Sequence, residues 1–201
     1  MSINPVEIPI GAVRYNTDSN KMEVYVGSTW MEGAVSSPNL DGGARGLING
    51  GYSPGAPNSG RLNNIEFVTI TSAGNSQDFG DLTSVGRSST GSCASRTRGL
   101  IMGGFDESAP AYRDIIDFVT IASAGNATDF GDLLDQRNPD NSQICSHLRG
   151  LFVGGENPGP SACKLVDVVN IATTGNATNF GDIKTSTSQS AGCSDSHGGL
   201  S

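Results

Sequence analysis

Three units of about fifty residues can be laid on one another along this chain, and such self-similarity restricts the fold more than any other feature. Arg45-Gly46-Leu47-Ile48-Asn49-Gly50-Gly51 recurs as Arg98-Gly99-Leu100-Ile101-Met102-Gly103-Gly104 and as Arg149-Gly150-Leu151-Phe152-Val153-Gly154-Gly155. A second block, Ile65-Glu66-Phe67-Val68-Thr69-Ile70, recurs as Ile116-Asp117-Phe118-Val119-Thr120-Ile121 and Val166-Asp167-Val168-Val169-Asn170-Ile171. Each unit closes with a Gly-Asn pair, at Gly74-Asn75, Gly125-Asn126 and Gly175-Asn176, then with Phe79-Gly80-Asp81, Phe130-Gly131-Asp132 and Phe180-Gly181-Asp182. The Phe-Gly-Asp triplets are 51 and 50 residues apart and the Gly-Leu pairs 53 and 51, so the length variation lies between the double Gly and the next strand. Exposed loops are expected there, at 52–63, 105–113 and 156–164, each with Pro and small polar residues suited to turns.

Within one unit the pattern predicts four short strands, near 92–95, 99–103, 115–122 and 127–133 in the second. In the third strand Ile116, Phe118 and Thr120 alternate with Asp117, Val119 and Ile121, so both faces are largely apolar. A sheet buried on both faces must stack on another sheet or on copies of itself. Four strands per fifty residues with a terminal double Gly is the arithmetic of a β-propeller blade, so the expected class is all-β. The pairs Gly50-Gly51, Gly103-Gly104 and Gly154-Gly155 are read as sharp turns or points of close backbone approach. Phe79, Phe130 and Phe180 are read as core anchors between blades, with the Gly and Asp that follow turning the chain into the next unit.

Composition bounds the function. Twelve basic against twenty acidic residues give a formal charge of -8, which argues against binding driven by phosphate neutralisation, so no nucleic-acid partner is expected. No stretch approaches the roughly 20 apolar residues that span a bilayer, and the N-terminal residues carry no charged and apolar signal pattern; a soluble protein without membrane insertion is expected. Cys93, Cys145, Cys163 and Cys193 lack metal-ligand spacing, and in successive repeats they are expected to lie too far apart to bridge.

The hydrophobic strand ending in Gly-Gly and the fifty-residue period resemble kelch-type, galactose-oxidase-like repeats. Kelch units carry a downstream Tyr and Trp, whereas the one Trp here is Trp30, outside the repeats. The block from Val119 to Leu133 is similar to arrays in structural proteins of tailed phages, especially those of marine cyanobacteria. The segment from Gly11 to Trp30 is similar to a short module of phage fibre and collar proteins. From its residues alone it reads as a meander, two alternating strands around a polar turn at 16–20, and so small a sheet needs a partner for stability. Residues 1–35 are therefore expected to be an N-terminal virion-attachment module, with Tyr15, Tyr25 and Trp30 as attachment residues, and 36–201 a kelch-like repeat region of three units and the start of a fourth.

Several chemical signals dissolve on inspection. Asp-Phe-Gly at 78–80 and 129–131 spells a kinase metal-binding triplet, but it recurs inside repeats without a catalytic or phosphate loop. His147 and His197 fall just before the Gly-Leu strand and read as turn residues. Copper-radical chemistry would need Tyr and His ligands, and the repeats offer only Tyr52 and Tyr112. Asn126 and Asn176 fit a glycosylation pattern but read as hairpin residues. Asp129, Asp132 and Asp135 invite a calcium site whose spacing the other repeats do not keep. No catalytic residue, metal or cofactor is expected, and the chain is read as non-enzymatic.

Three repeats are too few to close a propeller of about four or more blades. Completion by further chain or by other subunits is expected, and with it a homo-oligomer. The resemblance implies a structural protein of a phage particle, a tail or neck fibre that displays β-repeats for host attachment, located in the virion and bound to other virion proteins through its N-terminal module. Tyr52, Phe105, Tyr112 and Arg113 are the candidate surface-binding residues toward a host glycan or protein. A capsid-surface decoration protein and a cellular kelch-type interaction module stay open beside it.

Overall fold

A computed structural model describes residues 8–18, 21–32, 45–56, 60–84, 86–106, 111–139, 142–159 and 161–194. The expected boundary at 35/36, and His197, lie outside these residues. The chain forms two compact units, Met1–Pro38 and Asn39–Ser201. The protein is all-β: every regular element among the described residues is a strand, and the sheets are antiparallel. No helix among them is long and apolar enough to cross a membrane.

The first unit is a three-stranded meander of β1 (Val13–Asn16), β2 (Lys21–Tyr25) and β3 (Trp30–Glu32). Tyr25 and Trp30 pair across β2 and β3 with ring centroids 5.3 Å apart, and the Arg14 guanidinium lies 4.2 Å from the Trp30 ring centroid. Tyr15, by contrast, is 54% exposed. Glu23 on the central strand is buried, accepting from Asn16 Nδ2 at 2.8 Å and from Arg14 Nε at 2.7 Å. These two bonds, Asn16's first, hold its carboxyl below the ordinary value of 4.5. A depressed carboxyl stabilises the fold above its unfolded pKa and loses that contribution as pH falls through the folded one. The unit is therefore expected to loosen below pH 4.5, read by Trp30 fluorescence, and Glu23→Gln is expected to remove that acid slope. A slope unchanged in Glu23→Gln would assign it elsewhere.

The second unit holds the repeats. The first forms β4 (Arg45–Asn49), β5 (Asn64–Thr69) and β6 (Gln77–Asp81) in sequential order. The second adds an initial strand, giving β7 (Gly91–Ala94), β8 (Arg98–Met102), β9 (Ile115–Thr120) and β10 (Thr128–Asp132). The third repeats that meander with β11 (Gln143–Cys145), β12 (Arg149–Val153), β14 (Ser161–Asn170) and β15 (Thr178–Thr187), and β13 (Glu156–Asn157) pairs with the start of β14. These are open sheets, none closed on itself.

Strand alternation explains how the sheets stack. On one face of the middle sheet Ile101 and Val119 join Ile65, Phe79 and Leu82 of the first repeat. On the other, Leu100, Ile116 and Phe130 join Phe152, Val169 and Ile171 of the third. Phe79 and Phe130 are 2% and 3% exposed, each edge-on to a Phe of its own sheet at 6.1 Å. Phe180 departs from the expectation of a buried anchor. It is 55% exposed, because no described sheet covers its face as the third repeat covers Phe130.

The Phe-Gly-Asp triplet also departs from its reading as a turn. It lies inside β6 and β10, with a register shift at the glycine that marks a β-bulge. Gly80 sits at φ 148°, and a Cβ there would lie 2.4 Å from the Gly125 carbonyl oxygen of the next repeat. This close approach makes a joint. Gly125 N donates to Phe79 O at 2.7 Å, Asp81 N to Asn126 Oδ1 at 3.0 Å, and Ala127 N to Asp81 O at 2.8 Å. The second joint repeats the first: Gly175 N donates to Phe130 O, Asp132 N to Asn176 Oδ1 and Ala177 N to Asp132 O. The Gly-Asn pair, read as hairpin residues, is thus the receiving half of a joint whose other half is the Phe-Gly-Asp strand. The Arg that opens each Gly-Leu strand adds to it, Arg45 Nη1 donating to Ile121 O at 2.9 Å and Arg98 Nη1 to Ala172 O at 2.9 Å.

Candidate functional site

The three segments expected to carry recognition all follow the double Gly, but the third, at 156–164, is largely strand rather than loop, with β13 pairing to the start of β14. Both glycines of each pair have positive φ, 57° and 110° at Gly50 and Gly51, which L side chains rarely adopt. Gly103-Gly104 and Gly154-Gly155 repeat the pair, and in each the second glycine donates to the backbone that opens the next segment, Gly51 N to Arg87 O and Gly104 N to Arg137 O. The sharp turn then sends the chain out as a short ribbon, closed by isolated bridges at Tyr52–Arg61 and Phe105–Tyr112.

Of the four candidate contact residues, Tyr52 alone is strongly exposed, at 61%. Phe105 and Tyr112 pack edge to face at 5.3 Å, and Arg113 Nε holds the buried Asp106 carboxylate at 2.6 Å. The Arg61 guanidinium stands 5.6 Å from the Tyr52 ring and 4.8 Å from that of Phe105, so it links the first two loops into one surface. Sequence reasoning missed Arg61, which carries no repeat signal; Phe105, Tyr112 and Arg113 are half-buried and engaged in local contacts.

Two buried ion pairs were also missed. Arg87 Nη2 meets Asp117 Oδ2 at 2.5 Å and Arg137 Nη2 meets Asp167 Oδ2 at 2.6 Å, with all four side chains fully buried. Each Arg comes from the segment leading out of one repeat and each Asp from the third strand of the next. Backbone carbonyls complete the sites: Arg87 Nη1 reaches Gly103 O at 3.1 Å and Arg137 Nη1 reaches Leu165 O at 3.1 Å. Thr83 Oγ1 donates to Asp117, and Leu134 N to Asp167 at 3.1 Å. Burial draws Arg87 below its usual value, against the pull of Asp117, and lifts the Asp167 carboxyl against Arg137. A carboxylate recurring inside an apolar strand, at Asp117 and Asp167, was the available signal, since a buried charge needs a partner.

All four cysteines are free, as expected, yet Cys93 and Cys145 face each other. Cys93 pairs with Leu100 in its sheet while Cys145 pairs with Gly150, one position out of equivalence, so the two thiols point from facing sheets toward each other. Their hydrogen bond, then burial, holds the Cys93 thiol well above its usual range. That disfavours the reactive thiolate. The pair forms one wall of a cleft of about 320 Å³ whose other wall is Arg45, Leu47 and Asn49 of β4, the edge strand of the first sheet among the described residues.

No group of three or more His, Cys, Asp or Glu among the described residues is arranged to hold a metal ion. In the Asp129, Asp132 and Asp135 cluster, burial and then Asp114 and Asp129 raise the Asp132 carboxyl. No protein-family model matches the chain, and neither does any curated protein.

Proposed function

We propose that this chain is a non-enzymatic structural protein of a tailed-phage particle, a fibre or neck component whose kelch-like, blade-type β-repeats are displayed for host attachment. The N-terminal sheet attaches it to other virion proteins. The observation that carries the reading is how the repeated residues are spent: Phe-Gly-Asp, Gly-Asn, the strand Arg and the Arg–Asp pairs all join one sheet to the next. What varies between units is the loop surface around Tyr52, Arg61 and Phe105, which suits a display scaffold. The small first sheet leaves Ile10, Val13, Tyr15 and Met31 exposed, apolar surface that a partner would cover.

Mass spectrometry of purified particles is expected to find the chain, and particles assembled without it are expected to lose adsorption to host cells. Tyr52→Ala is expected to reduce adsorption with the melting temperature unchanged. Particles that lack the chain yet adsorb normally would remove attachment, and absence from purified particles would remove the virion reading altogether.

A further inference from the structure

Each repeat carries both halves of a joint, and among the described residues three repeats make two joints, so one half at each side of the described array has no partner half. The spare donor half is Phe180-Gly181-Asp182. Gly181 keeps the bulge conformation of Gly80 and Gly131, φ 145°, yet a Cβ built there would meet nothing within 4 Å. At Gly80 and Gly131 the next repeat's backbone stands 2.4 and 2.6 Å from that position. The spare receiving half is Gly74-Asn75, with Ile48 and Ile70 on the same face of the first repeat. Ile48 is 53% exposed where its equivalents Ile101 and Phe152 are 2% and 0%, and Ile70 is 70% exposed where Ile121 and Ile171 are 9% and 0%.

We propose that a second copy of this chain docks head to tail, the Phe180 face of one copy on the Ile48 and Ile70 face of the other, through the joint already used twice within the chain. By equivalence, Gly74 N donates to Phe180 O of the other copy, Asp182 N to Asn75 Oδ1, and Arg149 to the Ile70 carbonyl. These halves argue for a copy of this chain as the occupant, since the face that covers Phe130 inside the chain is of the kind the first repeat leaves open. The arrangement also accounts for the cleft. Segment 191–194 lies against β11, with Ser194 Oγ donating to Cys145 O at 2.7 Å, as β11 itself lies against β7. That is the place of a first strand for a following sheet, and among the described residues the first sheet's edge strand is β4, beside the cleft. Such a contact is heterologous, and it closes into a ring when the rotation allows. Two copies present six sheets, within the range of about four to eight blades in closed propellers. This inference does not depend on the attachment reading.

The test is the native mass of the full chain by sedimentation, with Phe180→Asp and Ile70→Asp as variants. Both positions are exposed in the single copy, and circular dichroism checks that each variant folds. The wild-type chain is expected at twice its 20.6 kDa mass, and each variant alone as a monomer. Mixing the two variants is expected to restore a one-to-one dimer, because each keeps the face the other has lost. A monomeric wild-type chain, an association that survives both substitutions, or a mixture that stays monomeric would each overturn the proposal.

Discussion

Replacing Asp117 with Ala is expected to destabilise the repeat body by about 3–5 kcal/mol, read as a fall in the urea midpoint at constant slope. The substitution leaves Arg87 charged in a site where its side chain is fully buried, with Nη2 deprived of its carboxylate partner. Against a total of about 5–15 kcal/mol for a domain, that is a large fraction. The companion variant decides the cause. If the loss is the uncompensated charge, Arg87→Met with Asp117→Leu is expected to recover most of it, because a buried pair replaced by apolar residues of similar volume is often neutral or stabilising. A double variant as unstable as Asp117→Ala would show that the pair's shape and its bonds to Gly103 and Ile115, rather than the charge, hold the sheets.

Phe130→Ala is expected to cost about 3–5 kcal/mol, whereas Phe180→Ala in dilute solution is expected to change stability by no more than about 0.5 kcal/mol. The residues occupy the same place in the same motif, so propensity and local contacts are matched and the difference isolates the neighbouring sheet. Phe130 is enclosed by residues of two repeats, and its loss leaves a cavity that flanking strands cannot fill without breaking the joint at Gly131. Phe180 has half its surface in solvent. Equal losses at the two positions would mean that Phe180 is covered in solution even in the single copy.

This pair also shows how far the sequence reaches. The period and strand alternation locate the strands of the second repeat to within about two residues, and they identify Phe79 and Phe130 as anchors, because both depend on local pattern; in the third repeat β14 opens earlier, at Ser161, and β15 runs on to Thr187, beyond what the pattern marks. They predict Phe180 as well, since a motif says what a residue offers and not whether a neighbour is present to take it. The same limit hid the joints. Gly80 looks like a turn residue until the Gly125 backbone is placed against it, and Arg87 looks like a surface cation until stacking brings Asp117 to it. Repeat spacing gave no sign that the free thiols of Cys93 and Cys145 face each other, because a one-residue offset reverses the face of a strand and only the register reveals it. The loop residues were harder to judge for a different reason: Phe105, Tyr112 and Arg113 engage one another or Asp106 locally and are half-buried, as is Arg61 between the two rings, so Tyr52 is the one strongly exposed side chain of the set.

A joint divided into two halves, both encoded in every unit, has a consequence for how such a gene can change. Duplicating or deleting one whole unit, as unequal recombination between similar segments does, leaves the same half-joint at each end and creates no interface that must be evolved afresh. Array length can therefore drift independently of loop sequence. The loops can diversify without disturbing the seams, because Gly80, Asn126 and their counterparts all lie outside them.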